Sequence, residues 1–315
     1  MEVLTSVDRE RIAALRARNE FFWLDVVEPS AQQLATLIEE LMLHPMAAED
    51  TREFGQRPKL DRYRDHALLV FYSAREAPDE SERAFTPVEV HAYVSGDYVA
   101  TIRREACPPL DDLHAQLGTG EHTELRVLYR ILDALTDAHY PVLAKLDARI
   151  DDLEEAVLER PRDAQLAGIY RLKQDVHDLQ RRISAQRDGF PAAADAILEI
   201  PGLEREQHLY LRDIGDHLTQ ISGELFRLGA DLAGLTDTYF NANANRLNAI
   251  AARLTLVATV FVIATLFTGF FGQNFGWLVG HVNSFGDFLV FGVIVPVAAM
   301  GGFLAVALAR RGEWL

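Results

Sequence analysis

Two long apolar runs without a single charge lie close together near the C-terminal end of the chain. The first covers 254–271, which is 18 residues, and the second covers 288–309, which is 22 residues. Each run is long enough, as a helix, to cross the roughly 30 Å hydrocarbon core of a bilayer. Arg310 and Arg311 directly follow the second run, and basic residues beside a span favour the cytoplasmic side. The sequence therefore predicts an integral plasma-membrane protein with cytoplasmic termini, and only loop 272–287 faces outward.

The rest of the composition fits a large cytoplasmic region on this two-span anchor. The net charge of the 315-residue chain is −16, which argues against nucleic-acid binding. Such a charge is compatible with a surface that attracts cations or with one that only keeps the domain soluble. Cys107 is the single cysteine, so an intramolecular disulfide and a cysteine-based zinc site are excluded. Residues 1–30 lack the apolar segment of a secretory signal.

The first 121 residues have the pattern of a cytoplasmic α/β domain. Residues 1–20 are predicted to form a short charged helix, and Ser30 is placed to cap a second one. Runs of β-branched and aromatic residues predict strands at 21–26, 68–72, 88–94 and 98–102. Because a two-residue turn separates the last two strands, the predicted sheet is small and partly antiparallel.

Helical patterns dominate from residue 122 onward. Residues 122–202 are predicted as a helical hairpin, and its expected helix breaks are Pro161, where the chain bends, and Gly189 with Pro191. Residues 203–253 are predicted as a stalk helix. Nothing stops this helix before the end of the first span, so we expect the stalk and the span to be continuous. Residues 310–315 form a basic tail.

Apolar residues along the predicted stalk recur in alternating steps of three and four. This is the spacing of a coiled-coil seam, and we expect the seam to bring copies of the chain together. Its members are Leu211, Ile214, Leu218, Ile221, Leu225, Leu228, Leu232, Leu235 and Tyr239.

The same steps continue into the first span, where every member of the series is small or polar. Close helix packing through small residues is one interpretation of such a series in lipid. The recurrent asparagines and threonines favour another, the wall of a water-filled path that several copies enclose together. We call the series the small-polar stripe; it comprises Asn241, Ala244, Asn248, Ala251, Thr255, Ala258, Val262, Thr265 and Gly269.

Short motifs in a fixed order along nearly the whole chain carry a family resemblance. They are His44-Pro45, Glu49-Asp50, Gln56-Arg57-Pro58-Lys59, Leu158-Glu159-Arg160-Pro161, Gly272-Gln273-Asn274 and the tail that ends in Trp314-Leu315. Each motif alone is weak evidence for a family. Together they resemble the CorA family of divalent-cation channels and transporters, two-span proteins with a Gly-x-Asn signature.

The resemblance implies a homopentamer with a funnel-shaped cytoplasmic domain, a pore lined by the long helix and an outer ring of second spans. The family's pore-lining positions match Asn248, Thr265, Gly269 and Asn274, and its acid near the cytoplasmic mouth matches Asp237. Gly272, Gln273 and Asn274 are then the expected selectivity filter. A ring of amide carbonyls from Asn274 suits hydrated Mg²⁺. The alternative is that Asn274 only caps the helix.

The resemblance also implies a regulatory metal site. Acids that match Glu49, Asp50 and Asp213 bind regulatory Mg²⁺ between neighbouring subunits in the family. Carboxylates that face each other across an interface repel, and a divalent ion relieves the repulsion. Loss of the ion then loosens the funnel and favours opening. The alternative is that these residues are ordinary surface acids.

Three departures from the family pattern bear on the ion and the gate. Gly-Gln-Asn replaces the usual Gly-Met-Asn, which leaves the preferred cation open. Ala251 stands where many members carry a bulky apolar residue, so we expect an apolar gate at Leu254 or Val262 instead. The external loop has one acid, Asp287, and one histidine, His281, in place of an acidic cluster.

Passive transport of Mg²⁺ is the function that these observations favour, with Mg²⁺ also the regulatory ion. A transporter of Zn²⁺, Co²⁺ or Ni²⁺ with the same fold is the closest alternative, and a non-conducting membrane scaffold or sensor is a second. No glycine-rich phosphate loop or nucleophile elbow supports an enzyme, so we expect no catalytic residue and no organic cofactor. The expected partners are other copies of the chain, the lipid bilayer and divalent cations.

Overall fold

The computed structural model describes residues 1–77, 83–117, 123–203, 208–273 and 276–309. The chain divides into two compact units, Met1–Tyr239 and Phe240–Leu315. We call them unit 1 and unit 2. One helix continues from the first unit into the second.

A six-stranded mixed sheet lies at the centre of unit 1. Its strands are β1 (Glu2–Leu4), β2 (Phe22–Val27), β3 (Lys59–Arg62), β4 (Ala67–Glu76), β5 (Phe85–Val94) and β6 (Tyr98–Arg103). The order across the sheet is β1-β2-β6-β5-β4-β3. The pairs β1–β2 and β2–β6 are parallel, whereas β6–β5, β5–β4 and β4–β3 are antiparallel. The prediction of a partly antiparallel sheet is confirmed, although β1 and β3 were not expected.

Three short helices follow the first strands: α1 (Arg9–Ala17), α2 (Ala31–Glu40) and α3 (Pro45–Glu53). Leu15 of α1 and Leu37 of α2 pack in one core cluster with Leu24 of β2. The predicted cap of α2 is confirmed, because Ser30 Oγ accepts from Gln33 N at 3.2 Å and Gln33 Oε1 accepts from Ser30 N at 2.9 Å. The helix predicted over 1–20 begins only at Arg9, because Glu2–Leu4 pair with β2 and Asp8 caps the helix by accepting from Arg11 N.

Four more helices of unit 1 precede the stalk: α4 (Pro108–Leu117), α5 (Glu124–Asp137), α6 (His139–Glu159) and α7 (Asp163–Leu198). Ser73 Oγ in β4 donates to Leu135 O in α5 at 2.8 Å, which ties this helical layer to the sheet. The expected bend at Pro161 is confirmed, since α6 ends at Glu159.

The expected helix break at Gly189 and Pro191 is wrong, because α7 continues through both residues to Leu198. A proline inside a helix removes one backbone hydrogen bond and crowds the carbonyl four residues earlier. Here Phe190 and Ile197 are buried, so the apolar face of α7 continues past the proline. Burial of each such side chain contributes roughly 1.5–3 kcal/mol, which offsets that cost.

The helix α8 spans His208–Phe271, so the predicted stalk and first span are one helix. All nine residues of the seam, Leu211 to Tyr239, are at most 3% exposed within a single chain. Neighbouring helices of the same chain cover it: Arg187 Nη1 of α7 donates to Ser222 Oγ at 2.7 Å, and Arg227 Nη2 donates to Asp147 Oδ1 of α6 at 2.9 Å. The periodicity therefore identified a buried face correctly, but the expectation that this face joins copies of the chain is wrong.

Unit 2 contains the C-terminal part of α8, two short helices and the second apolar run. The short helices are α9 (Gly276–His281) and α10 (Phe285–Asp287), and the second run consists of a π-helical segment, Phe288–Ile294, and α11 (Val295–Ala309). The wide π turn ends just before Pro296, which cannot donate a hydrogen bond to the carbonyl four residues earlier. Leu209–Phe270 and Phe285–Ala307 are both long and apolar enough to cross a membrane, with 18-residue windows of mean hydropathy 2.2 and 2.4.

A buried histidine at the start of α6 makes the stability of unit 1 depend on pH. His139 Nδ1 donates to Thr136 O at 2.9 Å, and Nε2 is buried without a hydrogen-bond partner among the described residues. Burial lowers the pKa of His139 to about 4. The unfolded chain therefore binds an additional proton between about pH 6.5 and this value, so stability is lost as the pH falls through that window.

Replacing His139 should remove this part of the pH dependence. We expect the wild-type chain to lose about 2 kcal/mol from this group between pH 7.5 and pH 5, and His139→Leu to lose correspondingly less. Thermal unfolding of the detergent-solubilised chain at the two pH values measures the difference. His177→Leu, at an exposed histidine, is the control and should behave as wild type. An unchanged pH dependence in His139→Leu would contradict the assignment.

Candidate cation pathway and metal sites

The membrane part of α8 has two different faces. Half-buried apolar residues such as Leu256, Val260 and Ile263 form one face. On the same side, Ala264, Phe267 and Thr268 line a cavity of about 600 Å³ together with residues of the second run, Phe288, Gly292, Val293, Pro296, Val297 and Met300. This face of α8 therefore packs beside the second span.

The small-polar stripe lies on the other face and is exposed within a single chain. Helical residues advance by about 100° each, which separates the stripe from the face beside the second span. Val262, Thr265 and Gly269 line a shallow groove of about 510 Å³ together with Gln273. All nine members of the stripe are exposed: Asn241, Ala244, Asn248, Ala251, Thr255, Ala258, Val262, Thr265 and Gly269.

The threonine hydroxyls of the stripe donate to their own helix. Thr255 Oγ1 donates to Ala251 O at 2.9 Å, and Thr265 Oγ1 donates to Phe261 O at 2.8 Å. With the hydroxyl proton used in this way, the oxygen presents its remaining lone pairs to the outside. Such a surface is a hydrogen-bond acceptor and suits a cation or the waters around it.

The expected filter begins where α8 ends. Gly272 N donates to Thr268 O at 2.9 Å, and Gln273 N donates to Phe270 O at 3.3 Å. A Cβ atom on Gly272 would lie 3.0 Å from Thr268 O, so any other residue here would push this turn outward by a few tenths of an ångström. Asn274 lies outside the described residues. Of the gate candidates, Leu254 and Val262 are both about two-thirds exposed within the chain, at 68% and 66%.

The expected regulatory acids have different surroundings. Asp50 is half-buried, and its Oδ2 lies 2.7 Å from Lys59 Nζ, so it already has a cationic partner. Glu49 is exposed, as is Asp237 at the expected cytoplasmic mouth. Within one chain and among the described residues, Asp213 belongs to a group with metal-ligand spacing, but Glu49 and Asp50 do not.

That group was not predicted from the sequence. Asp133, Asp213 and His217 each offer a ligand atom within 4.8 Å of the others. His217 Nδ1 is buried without a hydrogen-bond partner among the described residues, 3.8 Å from Asp133 Oδ1 and 3.8 Å from Asp137 Oδ1. The signal that was missed is the spacing of four residues between Asp133 and Asp137 in α5 and between Asp213 and His217 in α8. We call these four residues the Asp-His cluster.

Electrostatics in the Asp-His cluster favour a bound cation. Burial raises the pKa of Asp133, and the neighbouring charges of Asp137 and Asp213 raise it further. Burial and a hydrogen bond to Asp213 raise the pKa of Tyr129 to about 12. Each shift means that additional negative charge is unfavourable here, and a divalent ion would remove that penalty.

A second group with ligand spacing already holds a side-chain cation. Asp25, Asp111 and His114 meet around the fully buried Arg103. Arg103 Nη2 donates to Asp25 Oδ2 at 2.8 Å, and Trp23 Nε1 donates to Thr101 Oγ1 at 3.0 Å beside it. Since the guanidinium occupies the centre of the group, this network joins β2, β6 and α4 and leaves no place for a metal ion.

Comparison with known proteins decides the family. The family described as "CorA-like Mg2+ transporter protein" matches residues 18–308. The chain belongs to the CorA family. The recognition from short motifs is confirmed, and so is the expected fold of an α/β domain, a long helix and two apolar helices, which makes the chain an integral membrane protein.

CorA relatives with different ions in their descriptions match over most of the chain. "Cobalt/magnesium transport protein CorA" of Thermotoga maritima is 24% identical over 317 residues, which cover 98% of this chain and 88% of the relative. "Zinc transport protein ZntB" of Yersinia enterocolitica is 27% identical over 289 residues, covering 88% and 83%.

A solved CorA structure supports the fold directly. The complete CorA magnesium transporter from Methanocaldococcus jannaschii superimposes with a TM-score of 0.78 at 19% identity, and the match covers 93% of this chain and 91% of that one. At this level of identity the match shows the shared fold alone.

Proposed function

We propose that the chain transports divalent cations through a pathway enclosed by several copies, with the small-polar stripe as its wall. The observation that carries the proposal is the division of α8 into two faces. The second run packs beside one face, while the stripe, with its outward lone pairs, is left uncovered in the single chain. A single chain cannot enclose a pore, so further copies must cover the stripe. The family resemblance favours a homopentamer with both termini in the cytoplasm.

The chemistry of the stripe suits a cation that keeps its water. Mg²⁺ sheds water reluctantly and is often held through its first hydration shell. Asparagine amides and threonine oxygens can accept hydrogen bonds from that shell without removing it. We place the filter at Gly272, Gln273 and Asn274, and an apolar gate at Leu254 or Val262, where a narrow dry segment would stop ions.

Mg²⁺ is our first choice of ion and Zn²⁺ is the second. The family description and the Thermotoga maritima relative both name magnesium, whereas the Yersinia enterocolitica relative is described as a zinc transport protein. The histidine in the Asp-His cluster adds a nitrogen ligand, which suits Zn²⁺ and Co²⁺ better than Mg²⁺.

Flux through the purified full-length chain in liposomes tests the transport proposal. We expect Mg²⁺ entry down its gradient, with Zn²⁺, Co²⁺ and Ni²⁺ offered in turn to establish the order of preference. Asn274→Ala should abolish selective flux without changing the size of the oligomer, because it removes the amide from the filter. Asn283→Ala, an asparagine elsewhere in the same loop, is the control. No flux of any of the four ions would contradict transport, and selective flux in Asn274→Ala would contradict the filter.

Cysteine substitution tests whether the stripe contacts water. The native Cys107 is buried and burial raises its pKa to about 11, so it should stay unreactive. In the conducting state, Thr265→Cys should react with a charged, membrane-impermeant thiol reagent, and the reaction should block flux. Ile263→Cys, on the face beside the second span, should not react. Equal reactivity at the two positions would mean that the stripe does not line the pathway.

We further propose that the Asp-His cluster is the core of the regulatory metal site that the resemblance assigns to Asp213. Asp213 Oδ2 accepts from Tyr129 OH at 3.0 Å, which fixes the carboxylate beside the cluster. Asp50 and Glu49 then act from a neighbouring copy, where Asp50 would exchange Lys59 for the ion. Metal binding would hold α5 and α8 together and thereby favour the closed state.

Removing a charged ligand from this cluster should weaken the binding of cytoplasmic Mg²⁺, and with it the inhibition of transport by Mg²⁺. For Asp213→Asn we expect protection of the stalk from proteolysis to require at least about tenfold more Mg²⁺. His217→Asn should weaken protection by Zn²⁺ more than protection by Mg²⁺, because the imidazole is the softer ligand. Asp216→Asn, at an exposed acid on the same helix, is the control. Digestion patterns of the wild type that do not respond to Mg²⁺ would contradict a metal site here.

A further inference from the structure

An arginine-lined cavity of about 690 Å³ lies in unit 1, and its lining includes Arg57 of the motif Gln56-Arg57-Pro58-Lys59. It is bounded by the loop between α3 and β3, by strands β4 and β5 and by α7. Four arginines and two acids line it: Arg57, Arg104, Arg181, Arg182, Glu89 and Glu105. The local excess of positive charge contrasts with the net charge of −16 for the whole chain.

One of the two acids is fully engaged with neighbouring donors. Glu89 accepts from Gly55 N at 2.6 Å and from Gln56 N at 3.0 Å. It also accepts from Tyr72 OH at 3.0 Å and contacts His91 Nε2 at 2.8 Å. Burial works against the charged carboxylate, but these hydrogen bonds lower the pKa of Glu89 below its ordinary value. The carboxylate therefore keeps its negative charge, but its oxygens bond to the loop, Tyr72 and His91 and not to the arginines. The four arginines of the lining still outnumber its two acids.

The arginines, in contrast, have fewer anionic partners than positive charges. Arg181 Nη2 and Arg182 Nη2 share the single carboxylate of Asp178, at 2.8 Å and 3.4 Å, and Arg83 lies 3.7 Å from the same group. The Nε of Arg182 is buried without a hydrogen-bond partner among the described residues. Arg57 is exposed and has no ion pair within the described part of the chain.

Aromatic rings hold two of these guanidinium groups in place. Arg104 lies 4.5 Å from the centroid of Phe54, and Arg182 lies 4.8 Å from that of Tyr72. Stacking on a ring fixes the plane of a guanidinium and leaves donors at its edge for another group. The cavity therefore presents charged donors whose orientation is set before any ligand arrives.

We propose that this cavity binds the phosphate chain of a small polyphosphate, such as a nucleoside triphosphate. Arginine forks match phosphate oxygens in bidentate geometry, and the volume falls within the range of small-molecule sites. At physiological salt, charges more than about 8 Å away are largely screened, so the acidic surface elsewhere does not prevent binding. The site does not depend on cation transport, because every residue that forms it lies in unit 1.

Calorimetric titration of the full-length chain in detergent tests the proposal. The probes are adenosine triphosphate and inorganic tripolyphosphate, in buffer with excess chelator so that neither ligand acts by removing a divalent ion. The variant Arg57→Gln/Arg181→Gln removes two cavity charges at exposed positions, which keeps the stacked Arg104 and Arg182 in place. The control Arg64→Gln/Arg126→Gln removes the same charge from exposed arginines that do not line the cavity.

We expect wild type and control to bind, and the cavity variant to bind at least about tenfold more weakly, since hydrogen bonds to charged groups are the strong ones. Equal affinity for the two probes would show that the phosphate chain alone is recognised, and tighter binding of the nucleotide would assign a role to the nucleoside. Hydrogen exchange should slow on binding in segments 54–58 and 181–185. The proposal is overturned if wild type binds neither probe, or if the control variant loses as much affinity as the cavity variant.

Discussion

The buried seam of α8 is the interaction on which the rest of the structure depends. Leu211 to Tyr239 are removed from water by other helices of the same chain, and each buried leucine or isoleucine contributes roughly 1.5–3 kcal/mol. The seam fixes the rotation of α8 about its own axis. The helix itself continues without a break to Phe271, and the steps of three and four that define the seam continue along it as the small-polar stripe of unit 2.

The intramolecular burial of the seam also changes where contacts between copies must form. A seam already covered by its own chain offers no surface to a partner. The surface left uncovered on α8 in unit 2 contains large apolar residues such as Phe261 and Leu266, which suit lipid, and also the small-polar stripe. In lipid a polar surface of this kind is costly unless another helix or water covers it. The physical reason for the proposed assembly therefore lies in the membrane part of the helix and not in the coiled-coil pattern of the stalk.

Unit 1 contains two sites at which charge is not balanced, one negative and one positive. The ion pairs and hydrogen bonds around each site explain the imbalance. The Asp-His cluster brings three carboxylates together with one histidine, which leaves negative charge unneutralised and raises the pKa of Asp133. The arginine cavity has an excess of positive charge, because its arginines outnumber its acids, Asp178 is shared between two arginines, and Glu89 bonds to its own loop. Charges that are fully paired, such as Arg103 with Asp25, instead join elements of the fold.

The sequence by itself determined the two apolar runs, four of the six strands, the Ser30 cap and the continuity of the long helix. These features depend on local periodicity, on uninterrupted apolar length and on turn or cap residues. The strands β1 and β3 were not predicted because each is short, with 3 and 4 residues. A neighbouring strand stabilises each of them, and no local pattern shows that contact. Only the tertiary structure decided that the chain covers its own seam, that α7 passes Pro191, and that Asp133 and Asp137 meet Asp213 and His217. Residues 76 or more positions apart in sequence come together there through the packing of α5 against α8, and no local pattern encodes such an encounter.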